Sequence, residues 1–167
     1  MSAHDEVDRL VAAWRRERPD LDVTPMEVLS RVSRLARHLD RARGNAFASH
    51  HLEASEFDVL SALRRSGKPY QLSPGQLLHE TMVTSGTMTN RVDRLTAKGL
   101  VDRLPDPDDR RGVQVRLSDA GRKAVDGALD ALLASEKRIL KDLSDKQANG
   151  LASSLRILSM PFDQPST

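Results

Sequence analysis

A loop of aspartate, arginine, proline and glycine at 106–112 of this 167-residue chain is packed with charges of both signs. Apolar and polar residues alternate on both sides of the loop, at 100–104 and 113–117, which predicts two short strands joined as a hairpin. Arg110 and Arg111 stand at the hairpin tip, where packing alone requires no long cation. Guanidinium groups on such an arm suit the narrow, negative minor groove of DNA. Alternatively, both could pair with Asp106, Asp108 or Asp109 within the loop.

A second group of candidate residues lies in the preceding segment TSGTMTNRVDRLTAKG, at 84–99. Val83, Met88, Val92 and Leu95 predict the buried face of a helix that stops at Gly99. The exposed face carries small hydroxyls, one amide and guanidinium groups, at Ser85, Thr87, Thr89, Asn90, Arg91 and Arg94. Small hydroxyls allow a backbone to approach DNA closely, and Asn and Arg match adenine and guanine edges. An ordinary solvated helix face is the alternative.

The charge of the chain agrees with a local basic surface. The net charge is only +2, yet nine basic residues oppose six acidic ones between residues 84 and 123. Charged residues make up 30% of the chain and aromatic residues 3%, a mix that favours solvated helices. The absence of cysteine excludes disulfides and thiolate zinc sites.

The elements that must position these residues follow from helical spacing and capping signals. Helices are predicted at 5–17, 24–47, from about 55 to 67, from 73, at 84–99, at 118–143 and from 144 to 160. Their predicted N-caps include Thr24, Ser55 or a neighbour, Ser73, Ser118 and Ser144, and KPYQ at 68–71 is predicted as a turn. The fold class is therefore mainly α with a small two-stranded β-wing.

One domain over 1–167 is predicted, with three regions. N-terminal helices at 1–50 and C-terminal helices at 119–162 flank a winged helix-turn-helix at 53–118. The apolar stripes of the terminal helices are too extensive for a three-helix core to bury, which predicts a homodimer. A two-fold axis would place two recognition helices one DNA turn apart on a pseudo-palindromic site. Packing of those stripes within one chain is the alternative.

The segment LTAKGLVDRLPDPDDRRGVQVRLSDAG resembles the wing signature of the MarR family of transcriptional regulators, which are dimeric winged-helix proteins. The preceding TMTNRVDRL is similar to the recognition helix of that family, and the terminal helices are similar to its dimerisation region. The resemblance implies that Arg111 is the minor-groove arginine, that Asp109 braces it, and that Arg110 is a second candidate. It also implies repression of transcription that a ligand relieves.

The predicted helix at 5–17, which carries Trp14, precedes the usual first helix of the family. It is similar to the additional N-terminal helix of the urate-responsive PecS/HucR-type branch, or of the related aconitate-responsive TamR type. The resemblance implies a ligand site formed by Trp14, Asp58, Arg91 and Arg103. A planar urate anion would stack on the aromatic ring and pair with the cations. The same arginines could bind aconitate, citrate or a phenolic ligand, and each residue also has an ordinary structural reading.

This site suggests how a ligand could release DNA. Asp58 and Arg91 could pair when the site is empty. An anion that competes for Arg91 would then shift the recognition helix.

Other functional classes find less support in the sequence. The histidines, His4, His38, His50, His51 and His79, show no metal-ligand spacing, since His50 and His51 would point apart on a helix. Without a glycine-rich phosphate loop or a nucleophile elbow, we expect neither an enzyme nor a cofactor. No apolar run approaches the roughly 18 residues of a membrane span, so a cytoplasmic protein without membrane contact is expected. A helical dimer or scaffold that does not bind DNA remains the rival.

Overall fold

A computed structural model describes residues 4–81, 83–107 and 112–162. The helices in these ranges are α1 (Glu6–Glu17), α2 (Thr24–Ala48), α3 (Ala54–Arg65), α4 (Pro74–Thr81), α5 (Ser85–Ala97), α6 (Asp119–Leu140), α7 (Asp145–Ser159) and a 3-10 turn (Met160–Phe162). The strands are β1 (Gln71–Leu72), β2 (Val101–Pro105) and β3 (Val113–Leu117). The order matches the predicted winged helix-turn-helix between terminal helices.

The main core lies where the end of α2, the helices α3 to α5, the sheet and α6 meet. Phe47 of α2 stacks on Phe57 of α3 with ring centroids 4.1 Å apart. Leu60 and Leu63 of α3 and Leu77 of α4 are fully buried beside them. This apolar packing holds α4 and α5 as consecutive helices of a helix-turn-helix, with residues 82–84 between them.

The sheet has three strands rather than the predicted two. Its order is β1-β3-β2 and both pairings are antiparallel, with Gln71 opposite Arg116 and Arg103 opposite Val115. The prediction of a turn at 68–71 was wrong at its last residue, where β1 begins. A two-residue strand is too short to show alternation in the sequence. It ties the segment after α3 to the wing.

The capping predictions were confirmed at three helices. The Ser73 hydroxyl accepts from the Gln76 N–H at 3.2 Å, and the Ser118 hydroxyl accepts from the Gly121 N–H at 2.9 Å. The Ser144 hydroxyl accepts from the N–H of Gln147. Each hydroxyl satisfies one N–H that the first helical turn leaves open.

The capping prediction for Thr24 was wrong. Thr24 is the first residue of α2, and its N–H donates to the Asp22 carboxylate at 3.0 Å. The N-cap of α3 is Glu53, a neighbour two residues before Ser55. The expected helix at His50 and His51 is also absent, because both residues lie in the turn after α2.

The N-terminal helix α1 packs on α2 through charged groups and a small apolar cluster of Val7, Val11 and Val23. The Arg31 guanidinium donates to both Asp5 oxygens, at 2.8 and 2.9 Å, and to Asp8 at 2.7 Å. The hydrogen bond from Arg31 lowers the pKa of Asp5 to about 2. These contacts fasten α1 to α2 outside the main core.

Large apolar side chains of the terminal helices stay exposed in the single chain. They include Val28, Leu29, Val32, Leu35, Leu129, Leu133, Leu140, Leu151, Leu155 and Leu158. Ile157 is 71% exposed and Phe162 is 86% exposed, and α7 buries none of its residues. The alternative in which these stripes pack within one chain is therefore wrong. None of the helices in the described ranges has the length and hydropathy of a membrane span.

Helix α6 approaches the backbone just before β2 so closely at Gly121 that we expect only glycine to fit there. A Cβ at this buried position would lie 2.0 Å from the Leu100 carbonyl oxygen and 2.9 Å from Leu117 Cδ1. We expect Gly121→Ala to lower the free energy of unfolding by about 1–3 kcal/mol, because backbone cannot move aside cheaply. Urea unfolding at fixed protein concentration measures this change.

Gly150→Ala in α7 is the matched control. Nothing lies within 4 Å of a Cβ there, so we expect an unchanged or slightly higher unfolding midpoint. Equal midpoints for both variants would contradict the close approach at Gly121.

Candidate nucleic-acid interface

Helix α5 presents one side to the core and the other outward. Met88, Val92 and Leu95 are at most 2% exposed and Val83 is partly buried, which confirms the predicted buried face. The N-cap, Thr84, makes no side-chain hydrogen bond to an N–H of the first turn. The N-terminus of α5 can therefore offer N–H groups to an anion such as a phosphate.

The outward residues of α5 lie on two flanks. Thr87, Asn90, Arg91 and Arg94 line a shallow depression that they share with Ser55 of α3. On the other flank, Ser85 and Thr89 face the sheet. The structure thus places all six sequence-predicted residues of this helix on its outward side, with Arg91 partly buried and the others exposed.

Two of the candidate hydroxyls already make local hydrogen bonds. The hydroxyls of Thr84 and Thr87 are 2.9 Å apart, and the Thr89 hydroxyl donates to the Ser85 carbonyl at 3.1 Å. A hydroxyl oxygen has two lone pairs, so Thr89 can still accept a hydrogen bond from the amino group of a base.

The wing rises from β2 and β3 beside α5. The Asp106 N–H donates to the Gly112 carbonyl at 3.0 Å, and the Gln114 amide donates to the Asp106 carboxylate at 2.5 Å. These bonds close the base of the loop. The predicted tip residues Asp108, Asp109, Arg110 and Arg111 lie outside the described residues, so the minor-groove role and the brace stay predictions.

Arg103 of the wing forms an ion pair with Asp93 of α5, a residue that the sequence did not single out. Its guanidinium lies 2.6 Å from the carboxylate of Asp93, on the outward side of α5. In the sequence, Asp93 stands out only as a carboxylate on the predicted DNA-binding side of the helix, where DNA phosphates would repel it. Arg103 also lines a pocket of about 270 Å³ whose walls include Leu78, Met88 and Val115.

The structure does not gather the four predicted ligand residues into one pocket of the single chain. Asp58 lines a polar depression with Arg65 and Glu80, whereas Arg91 lines the one that contains Ser55. Ser55 and Asp58 are three residues apart on α3, so the two depressions are neighbours on one helix face.

The other two ligand candidates line neither of these depressions. Arg103 lines the pocket on the opposite flank of α5, and Trp14 is 44% exposed on α1. Among the described residues, no ion pair joins Asp58 to Arg91, so the predicted pairing in the empty site is not formed here.

A group of charged side chains that the sequence reasoning did not connect joins α5 to the start of α3. This α3–α5 charge cluster consists of Glu53, Glu56, Arg94 and Lys98. Arg94 forms an ion pair with Glu53 and lies 3.7 Å from Glu56. Lys98 donates to Glu56 at 2.8 Å and to the His51 carbonyl at 3.2 Å. The cluster therefore links the recognition helix to the segment that follows α2.

Glu56 is the buried member of the cluster, with 0% of its surface exposed. One of its oxygens accepts from Lys98 and from the Glu53 N–H, and the other has no hydrogen bond from the described residues. Burial alone would raise the pKa of Glu56. The hydrogen bonds from Lys98 and the Glu53 N–H, with the charges of Lys98 and Arg94, outweigh it and lower the pKa.

We expect Glu56→Gln to destabilise the protein at neutral pH by about 1–3 kcal/mol, because a hydrogen bond to a charged partner is lost. The pKa of Glu56 is lower in the folded chain than its ordinary value of 4.5, so this stabilisation is present above pH 4.5. It is lost as the pH falls through the folded pKa, and the gap between wild type and variant should shrink there. Urea unfolding at neutral pH and below about pH 4 checks this.

Glu17→Gln, which removes an exposed carboxylate of α1, is the control and should show no comparable gap. A gap for Glu56→Gln that stays constant across this pH range would contradict the role assigned to its charge.

Comparisons with known proteins agree with this geometry. A family model described as MarR family matches residues 51–112. The HTH-type transcriptional regulator PecS of Dickeya dadantii is 39% identical over 151 residues, which are 90% of this chain and 91% of that protein. The HTH-type transcriptional repressor NicR of Pseudomonas putida is 34% identical over 113 residues, 65% of this chain and 70% of that protein.

A solved structure extends the likeness to a DNA complex. A mutant MarR from E. coli complexed with operator DNA matches with a TM-score of 0.67 at 26% identity, covering 83% of this chain and 99% of that chain. The predicted family and fold class are confirmed, and these relatives are regulators rather than enzymes. The chain therefore belongs to the MarR family, as a DNA-binding transcriptional regulator of the PecS type.

Proposed function

We propose that the protein is a repressor that binds a pseudo-palindromic operator as a homodimer and is released by a small anion such as urate. The observation that carries this proposal is the contrast between two surfaces of the chain. The terminal helices expose apolar stripes, whereas α5 and the wing expose hydroxyl, amide and guanidinium groups. The first surface suits a second copy of the chain and the second suits DNA.

The exposed stripes support the homodimer. Apolar surface gains about 25 cal/mol for each Å² removed from water, so exposed leucines on α2, α6 and α7 favour association. Leu10 and Trp14 are four residues apart and form an exposed stripe on α1. A two-fold axis through these helices would present both copies of α5 to one side of a duplex.

We assign the DNA contacts to both flanks of α5 and to the wing tip. Asn90 and Arg94 would contact base edges or phosphates in the major groove. The hydroxyls of Ser85, Thr87 and Thr89 would add hydrogen bonds to the same groove. Arg110 and Arg111 would enter the adjacent minor groove, where the potential is most negative. The mutant MarR structure complexed with operator DNA supports DNA binding by this fold.

We assign the effector to the surfaces around Arg91 and Arg103. Arg103 has an apolar pocket beside it and an exposed carboxylate, Asp93, as its partner. An aromatic anion could place its ring against the apolar wall and replace Asp93 at the guanidinium. The pocket lies between α5 and β3, so a bound ligand would change how the recognition helix sits against the wing.

Urate is favoured over aconitate and citrate by the apolar pocket wall and by the resemblance of the N-terminal helix to that of the urate-responsive branch. Aconitate and citrate would satisfy the arginines but have no ring to place against that wall. Trp14 lies on the exposed stripe of α1, and we assign it to the site in the assembled dimer. Asp58, on the face of α3 next to Arg91, would accept a hydrogen bond from an N–H group of urate, which aconitate and citrate lack.

We expect Arg111→Ala to weaken DNA binding by about 1–3 kcal/mol, because a minor-groove guanidinium is lost. Anisotropy of a labelled duplex from the DNA flanking the gene of this protein measures the change. Arg16→Ala, which removes a charge from exposed α1, is the control and should leave the affinity unchanged. Equal affinities for the two variants would show that the wing does not dock.

We expect urate to change the fluorescence of Trp14, the one tryptophan in the chain, and to release bound DNA, whereas citrate and aconitate do neither. Arg91→Ala, Asp58→Ala and Arg103→Ala should each blunt the release while the dimer stays intact on a sizing column. Arg16→Ala is again the control. Normal release by urate in all three variants would contradict the proposed site.

A further inference from the structure

The two halves of the α3–α5 charge cluster differ in burial and therefore in mobility. Glu56 has only 1% of its side chain exposed and is held by Lys98, so its carboxylate is shielded from solvent. Glu53 and Arg94 have 58% and 48% of their side chains exposed. Exposed ion pairs contribute little to stability and exchange partners readily. The Glu53–Arg94 pair is thus the exchangeable half of the cluster.

The exchangeable half lies on a flank of the proposed DNA-binding face. Arg94 lines the same depression as Thr87 and Asn90, which are seven and four residues before it on α5. Residues at these spacings share one helix face. A carboxylate, Glu53, therefore stands within ion-pair distance of the last guanidinium on that face.

We propose that Glu53 is an attenuating residue of the DNA interface, which neutralises Arg94 and weakens binding to all duplex sequences alike. The inference rests on the proposed DNA-contacting role of α5. A phosphate that contacts Arg94 must replace Glu53, and the carboxylate then remains close to that phosphate. The binding free energy that Arg94 would gain by neutralising the phosphate is therefore mostly lost. Because phosphates carry no sequence information, this loss is the same for every duplex.

A purely structural pair would behave differently. If Glu53 only held Arg94 to position the end of α5, removal of its charge would loosen the helix and weaken DNA binding. The two readings predict opposite signs for the same substitution, because Glu53→Gln keeps the size of the side chain and removes only its charge.

The test uses the full-length chain and two labelled duplexes, one from the flanking DNA and one of random sequence. We expect Glu53→Gln to bind both duplexes several-fold more tightly at low salt, by the same factor. The slope of log K against log salt should become more negative by as much as about 0.9, since one more phosphate is neutralised.

Two further variants separate the electrostatic effect from others. Glu17→Gln removes one negative charge from α1, and it should match the wild type if the effect is local. In an Arg94→Ala background, Glu53→Gln should change nothing, because the two residues act through one contact. Unchanged or weaker binding by Glu53→Gln, or an effect that persists without Arg94, would overturn the inference while the proposed function stands. Failure of the wild type to bind any duplex would overturn both.

Discussion

A buried carboxylate, Glu56, determines where the recognition helix sits. Apolar contacts through Met88, Val92 and Leu95 hold α5 against the core, but the hydrophobic effect has no direction and tolerates rotation or sliding. The charge-assisted hydrogen bond from Lys98 to Glu56 is directional and lies at the end of α5. Loss of Lys98 would leave Glu56 buried, with Arg94 at 3.7 Å as its nearest remaining cation, and a poorly matched buried charge is costly.

Helix α5 is held electrostatically on both flanks. Glu53 and Glu56 pair with Arg94 and Lys98 on the side of α3, and Arg103 of the wing pairs with Asp93 on the other. In the proposed function, phosphates and effector anions compete with these carboxylates for the same guanidinium groups. Binding of an anion on one flank would then change the balance of forces on a helix that must fit a groove.

The fold was largely predictable because its helices have strong local signals. Spacing of apolar residues gave the helices, and hydroxyl caps such as Ser118 and Ser144 marked where two of them begin. The errors fell where a signal is weak or unusual. Strand β1 is two residues long, and the N-cap of α3 is Glu53, a residue type that is not among the preferred N-caps.

The candidate site was less predictable because its contacts are non-local. Glu53 and Arg94 are 41 positions apart, and no local pattern connects them. The sequence placed Arg94 on a DNA-facing helix side and Arg103 in a ligand site, but it did not indicate the carboxylate partner that the fold supplies to each. The single chain also leaves Trp14 exposed on α1, apart from Asp58, Arg91 and Arg103, so any site that includes all four depends on the assembly.

That dependence links DNA binding to association. Helix α7 buries none of its residues within the chain, and an isolated helix of this length has little stability in water. In the proposed homodimer a partner copy would supply the missing apolar contacts, so the fold of the terminal helices would vary with protein concentration. In that homodimer the same terminal helices would set the spacing of the two α5 helices. An effector that alters their packing would therefore change DNA affinity without contacting any residue on the DNA face.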